Sequence, residues 1–282
     1  MRKSLLPVLL ILTLVISCKD STGSSENSSS SSESVTNNET PAITYTILNV
    51  LPHDTSSYTE GLLIHDGKIY ESSGAPKEVE YTRSIFGIVD PSTGKISVKA
   101  ELDRNKYFGE GIAIIGSKLF QITWKDTDGL IKKGFIYDLK TFKRIGEFDF
   151  PSREGWGMTT DGSSLIMSDG SSNLTYLDPV TFKTNRIVGV TDNNGPVGNI
   201  NELEFVNGNI LANIYQTPYI IRIDPNSGKV LGKADFSNLI KEVKLKDPDV
   251  DYMNGIAWDS VKNKIYITGK LWPNMYEVRL NN

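Results

Sequence analysis

Phe108-Gly-Glu-Gly-Ile-Ala-Ile-Ile-Gly-Ser-Lys-Leu-Phe-Gln-Ile-Thr-Trp-Lys125 reads as a β-hairpin. An apolar run follows the glycine-flanked carboxylate Glu110. Gly116-Ser117-Lys118 makes the turn, and an alternating strand then ends at Trp124. Paired in register, Glu110 and Trp124 fall at one edge of the sheet. An acid beside an indole at a strand mouth is either a place for chemistry or edge decoration.

The hairpin repeats along the chain. Glu60-Gly-Leu-Leu, Glu110-Gly-Ile-Ala, Glu154-Gly-Trp-Gly, Glu202-Leu-Glu-Phe and Asn254-Gly-Ile-Ala recur at steps of 50, 44, 48 and 52. A second marker keeps time with them: Asp90-Pro-Ser-Thr-Gly-Lys, Asp138-Leu-Lys-Thr-Phe-Lys, Asp178-Pro-Val-Thr-Phe-Lys and Asp224-Pro-Asn-Ser-Gly-Lys. The Gly-Lys pairs are not phosphate loops, which need an earlier glycine and a following helix. Asp, Pro and Gly in this order make tight turns between strands. Periods of 40–50 residues with several strands each mean propeller blades.

Each period holds four strands, except the last, which holds three: Gly255–Asp259, Lys264–Thr268 and Met275–Leu280. The missing strand is Ile43–Val50 at the start, which would close the ring and protect exposed edges. The expected fold is all-β: a five-bladed β-propeller over residues 42–282, its last blade completed by the N-terminal strand. Helical periodicity is confined to Phe236–Leu245.

The first 41 residues do not belong to this ring. Arg2 and Lys3 precede an apolar run from Leu5 to Ile16, too short to span a bilayer comfortably. Val15-Ile16-Ser17-Cys18 resembles a lipobox, so residues 1–17 read as a lipoprotein signal peptide and Cys18 as the lipidated N-terminus. The other reading is a plain secretory signal with an incidental Cys. Residues 18–41 continue as a Ser/Asn-rich tether that cannot bury a core. The expected location is the cell envelope, with a lipid anchor holding a monomer to the membrane on the extracytoplasmic side. Cys18 is the chain's one cysteine, which leaves no disulfide. Without residues 1–17 the chain carries 28 basic against 34 acidic residues, so no nucleic-acid partner is expected.

The repeat phase puts Glu60, Glu110, Glu154, Glu202 and Asn254 at equivalent points around the axis. Clustered carboxylates there raise a pKa, bind a cation or turn to solvent. Tyr58, Phe108, Trp124, Trp156, Tyr215 and Trp272 share the phase, and some of them can wall a small-molecule pocket while others pack between blades. Lys270 is the one basic residue among them, with Asn201 and Gln216 as neutral hydrogen-bonding groups. Two histidines make a His-rich zinc site a poor expectation, and no nucleophile elbow or catalytic Cys occurs.

The ordered motifs resemble the glutaminyl-peptide cyclotransferases of the plant and bacterial type. They are Tyr-Thr-Glu-Gly-Leu (58–62), Phe-Gly-Glu-Gly-Ile (108–112), Ile-Thr-Trp-Lys (122–125), Glu-Gly-Trp-Gly (154–157), Asn-Glu-Leu-Glu-Phe (201–205), Ala-Asn-Ile-Tyr-Gln-Thr (212–217), Met-Asn-Gly-Ile-Ala (253–257) and Thr-Gly-Lys-Leu-Trp-Pro (268–273). The resemblance covers the whole ring and implies a five-bladed propeller. It implies conversion of a peptide's N-terminal Gln to pyroglutamate with loss of ammonia, with no metal required. It puts the catalytic acid on Glu110, the carboxamide on Asn201 and the lysine on Lys270. Phe108, Trp124 and Trp156 become pocket aromatics, joined at the substrate site by Tyr58, Glu60 and Tyr215. Two positions depart from the family pattern: Glu60 stands where a neutral amide is expected, and Tyr215 where a Trp is.

Two other readings fit a propeller with acids at its mouth. One is a lactonase-like hydrolase with a divalent cation on the axis. The other is a non-catalytic surface propeller that binds peptide or glycan. A structural divalent cation in the axial channel is compatible with the cyclotransferase reading too.

Overall fold

The computed structural model describes residues 39–125 and 129–281. The signal peptide, Cys18 and most of the tether lie outside the described residues. The first strand is β1 (Ala42–Pro52). A four-stranded antiparallel sheet follows, made of β2 (Tyr58–His65), β3 (Lys68–Gly74), β4 (Ile85–Val89) and β5 (Ile96–Glu101). The second sheet has β6 (Gly109–Ile115), β7 (Lys118–Thr123), β8 (Gly134–Asp138) and β9 (Arg144–Phe148). The third has β10 (Met158–Thr160), β11 (Leu165–Met167), β12 (Asn173–Leu177) and β13 (Thr184–Gly189). A short ribbon of β14 (Thr191–Asp192) and β15 (Gly195–Pro196) precedes β16 (Ile200–Val206), β17 (Asn209–Ile214), β18 (Tyr219–Ile223) and β19 (Val230–Asp235). Helix α1 (Ser237–Lys246) comes next, and β20 (Met253–Asp259), β21 (Lys264–Gly269) and β22 (Asn274–Asn281) end the chain.

The Asp-initiated markers are turns, as their composition predicts. At Asp90 the backbone N–H of Gly94 donates to the Asp90 carbonyl at 2.8 Å, and the Asp90 side chain accepts the Ser92 N–H at 2.8 Å. The same construction at Asp138, Asp178 and Asp224 joins the third strand of each sheet to its fourth.

The N-terminal strand does what the missing fourth strand requires, and more. It pairs antiparallel with β22 from Thr44↔Asn281 to Pro52↔Asn274, with a register shift between Ile47 and Asn49. Its first residues also pair parallel with β19, at Ala42↔Lys233 and Ile43↔Ala234. One strand thereby joins two sheets into a continuous sheet of eight.

The innermost strands carry side chains buried on both faces, so β2 and β6 lack the alternation of a half-exposed strand. The fourth strands β5 and β13 are largely exposed. Apolar residues fill the space between neighbouring sheets. Leu63, Tyr70 and Phe86 of the first sheet, for example, cluster with Leu119, Phe135 and Tyr137 of the second. The innermost strands meet in a closed succession: β2 with β6, β6 with β10, β10 with β16, β16 with β20, and β20 with β2. Glycine permits this approach. A Cβ on Gly111 would come within 2.3 Å of the Met158 nitrogen.

The registers correct the phase read from sequence. Counted back from the hairpin turns, Leu62, Ile112, Met158, Leu203 and Ile256 are equivalent. The position two residues earlier is held by Glu60, Glu110, Trp156, Asn201 and Asn254. Glu154 therefore stands two residues upstream of that position and Glu202 one residue downstream. The nearest acid does not keep the phase; the next position is glycine in four of the five strands, Gly61, Gly111, Gly157 and Gly255, with Glu202 in the remaining one.

Candidate active site

The nine side chains that the family resemblance puts at the catalytic and substrate site line one cavity of about 450 Å³: Glu60, Glu110, Asn201 and Lys270 among the polar groups, and Tyr58, Phe108, Trp124, Trp156 and Tyr215 among the rings. Trp272 does not reach it; that side chain is fully buried and its Nε1 donates to the Asp251 carbonyl at 3.0 Å.

Glu110 lies in the register shift at the start of β6, between the pairs Gly109↔Thr123 and Ile112↔Gln121. The shift turns its side chain out of the ladder. Its backbone carbonyl is held by the Ser72 hydroxyl at 2.6 Å, and Ser72 in turn accepts the Gln121 amide at 3.0 Å. Glu60 sits at the corresponding shift in β2. Both carboxyl groups are buried and lie close enough to perturb each other's titration.

Lys270 is buried as well and forms an ion pair with Glu60. Its ammonium also lies 4.3 Å from the centre of the Tyr58 ring. A turn with Leu271 in the left-handed region, φ 63°, aims the lysine inward, and the Ser57 carbonyl anchors it by accepting the Leu271 N–H at 2.8 Å. Behind it, buried His53 donates to the Trp272 carbonyl at 2.7 Å and pairs with Glu71 at 3.0 Å.

Burial pushes Glu110 well above the ordinary carboxylate range, and the neighbouring Glu60 charge adds to it against the pull of Lys270. Burial raises Glu60 too, opposed by Lys270. The two acids titrate as one unit. The ion pair with Lys270 favours the charged form of Glu60, so Glu110 is the acid pushed further up.

Asn201 presents a buried Oδ1 that has no partner among the described residues, although Asn201 lines the cavity. A buried amide oxygen without a donor is costly, and a bound molecule can supply one. Asn254 holds the floor, its amide donating to the Thr59 carbonyl at 3.0 Å and to Glu60 at 3.3 Å.

The indole of Trp124 lines the same cavity as Glu110, but its N–H is engaged by another acid. Trp124 Nε1 donates to Glu154 Oε2 at 2.8 Å. The backbone does bring the two ends of the hairpin together, with the Trp124 N–H bound to the Phe108 carbonyl at 3.0 Å. Phe108 fits only because residue 74 is glycine; a Cβ there would stand 2.2 Å from its ring.

Below the cavity, Glu202 spans the axis. Its two carboxyl oxygens accept the N–H groups of Leu62, at 3.2 Å, and Ile256, at 2.8 Å. Glu204 follows two residues on and accepts the Trp258 N–H at 2.8 Å. Glu202 and Glu204 are thus engaged by backbone donors. Among the described residues no group of three or more His, Cys, Asp or Glu is arranged for a metal.

Comparison with known proteins agrees with this geometry. The family described as glutamine cyclotransferase matches residues 16–280. A glutaminyl-peptide cyclotransferase of Arabidopsis thaliana is 39% identical over 231 residues, covering 81% of this chain and 69% of the relative. The crystal structure of the Myxococcus xanthus glutaminyl cyclase superposes with a TM-score of 0.75 at 31% identity, covering 86% of this chain and 99% of that one.

Proposed function

The chain belongs to the glutamine cyclotransferase family, and from that premise we infer that it closes the N-terminal Gln of peptides and proteins into pyroglutamate with release of ammonia. The observation that carries the chemical reading is a buried Glu110, its pKa raised above the ordinary carboxylate range, beside a lysine-paired Glu60 in an aromatic-walled cavity.

Glu110 is the proton shuttle in this reading. The α-nitrogen of the substrate must be neutral to attack its own side-chain carbonyl carbon. An α-ammonium has a pKa of about 7.7–8.0. An exposed carboxylate is too weak a base to deprotonate it readily, but one raised by burial is better matched. The new C–N bond replaces the bond to the amide nitrogen. Glu110 takes a proton from the α-nitrogen and passes it to the departing nitrogen, which leaves as ammonia. The rings of Phe108, Trp124 and Trp156, with Tyr58 and Tyr215, hold the side chain folded back for five-membered closure. Asn201 and Lys270 are the polar groups offered to the tetrahedral intermediate. The ion pair with Glu60 uses only part of the three-donor capacity of Lys270.

The finer fold reading is a five-bladed propeller whose fifth blade is β20, β21, β22 and β1. The closed succession of innermost strands supports it. The reaction as written requires no metal. Cys18 is read as the lipid attachment site of a monomer on the extracytoplasmic face of the cell envelope, supported by the apolar run that ends there. Cys18→Ser should then move the protein from the membrane to the soluble fraction.

Mass spectrometry of a Gln-initiated peptide before and after incubation tests the function, because loss of ammonia is a defined mass change. Cyclisation that persists with a chelator supports the reading. Activity abolished by chelation points to the metal-dependent hydrolase, and an unchanged peptide to a binding propeller.

A further inference from the structure

The rings around the cavity fall into two groups. Tyr58, Phe108 and Trp124 follow one another with centroids 6.3 and 5.6 Å apart. Trp156 and Tyr215 form the second group, 5.4 Å apart. Among the described residues no ring contact joins the groups. What joins them is Glu154. Its Oε2 accepts the Nε1–H of Trp124 at 2.8 Å and the Nε1–H of Trp156, also at 2.8 Å.

We propose that Glu154 is a positioning residue: one carboxylate oxygen clamps the indoles of Trp124 and Trp156 and so sets the spacing of the walls against which the substrate Gln folds. This rests on the cyclotransferase reading.

Three observations favour a clamp over a surface acid that happens to meet two rings. An indole has a single N–H donor, and here both donors are spent on the same atom. The backbone is laced through the same place, since Gly155 N–H donates to the Trp124 carbonyl at 2.8 Å and Gly111 N–H to the Trp156 carbonyl at 2.8 Å. The clamp is therefore tied directly to the residue after Glu110. Finally, Glu154 lies close enough to Glu110 to add to the repulsion that raises it. A carboxylate free to choose would turn from that charge to solvent; this one is partly buried and held by two charge-assisted hydrogen bonds.

The experiment is NMR of the indole N–H groups in the 15N-labelled protein, alongside steady-state kinetics. The chain has four Trp, hence four indole signals, and Trp124→Phe and Trp156→Phe identify the two of interest. Glu154→Ala should move both signals and lower kcat by about ten- to hundredfold, as misplacement of a positioning group does, with thermal unfolding unchanged. Glu154→Gln keeps an amide oxygen able to accept both donors, so it should restore both signals and most of kcat. Indole signals unmoved in Glu154→Ala would overturn the proposal. So would moved signals with kcat and KM unchanged, or a Gln variant as impaired as Ala. The NMR arm needs no substrate. A wild-type protein that fails to cyclise peptides therefore sinks the functional reading and leaves the clamp to be judged separately.

Discussion

Lys270 forms its ion pair with Glu60 and not with Glu110, although all three side chains line one cavity. The sequence makes Glu60 look like an added negative charge at the mouth of the site. In the fold it is the counter-ion of a buried lysine. The ion pair leaves Glu110 as the buried acid without a counter-ion of its own, and burial pushes it well above the ordinary carboxylate range.

Glu110→Gln keeps shape and hydrogen-bonding capacity but removes proton transfer. Turnover of a Gln-initiated peptide should fall by about 10²–10⁴-fold, the usual contribution of general acid–base catalysis. The unfolding temperature should not fall. Near-wild-type turnover would remove Glu110 from the mechanism.

Glu60→Gln removes the charge that raises Glu110, second only to burial among the causes, and leaves Lys270 to pull it down. The variant should stay active while the acidic limb of its pH–rate profile moves to lower pH. If this variant is dead and Glu110→Gln is not, Glu60 is the working acid.

Glu204 gives a pH dependence of stability that is separate from catalysis. Burial raises its pKa from 4.5 to about 8 in the folded chain. The unfolded chain holds fewer protons than the folded one between those values. Its stabilising contribution is therefore full below pH 4.5 and is lost as pH rises through about 8. His53 acts in the same direction. Burial resists its charging, but the Glu71 carboxylate outweighs burial and raises it. At the acid end, hydrogen bonds from Ser92 and Thr141 lower Asp90 and Asp138, whose contribution is lost as pH falls through their folded values. Thermal unfolding should therefore be highest in mildly acidic buffer. Glu204→Gln should flatten the decline between pH 5 and 8, and a decline as steep as wild type would acquit Glu204.

Deleting residues 42–50 should lower the unfolding temperature of the whole domain, because it strips β22 and frees the edge of β19 at once. Deleting residues 19–38 should leave that temperature unchanged. Calorimetry on both truncations compares them directly, and equal unfolding temperatures would refute the role given to β1.

Much of this protein is legible in its sequence because the relevant signals are local. Turn chemistry at Asp90, Asp138, Asp178 and Asp224 marks the same joint in four sheets, and hairpin spacing counts the repeats. The absence of a fourth strand at the end pointed to Ile43–Val50 as its replacement, and β1 pairs there. The nine cavity residues also follow from motifs in order, because each lies near the start or end of an inner strand. What sequence could not settle is which of those groups face one another. Glu154 and Trp156 are two residues apart in one segment, while Trp124 comes from another sheet. Only the packing of sheets brings one carboxylate oxygen to both indoles. The same holds for the ion pair: Lys270 is 210 residues from Glu60 and 160 from Glu110. The approach of strands from opposite ends of the chain, at distances of a few ångströms where burial removes water, decides which acid is paired and which one is pushed furthest up.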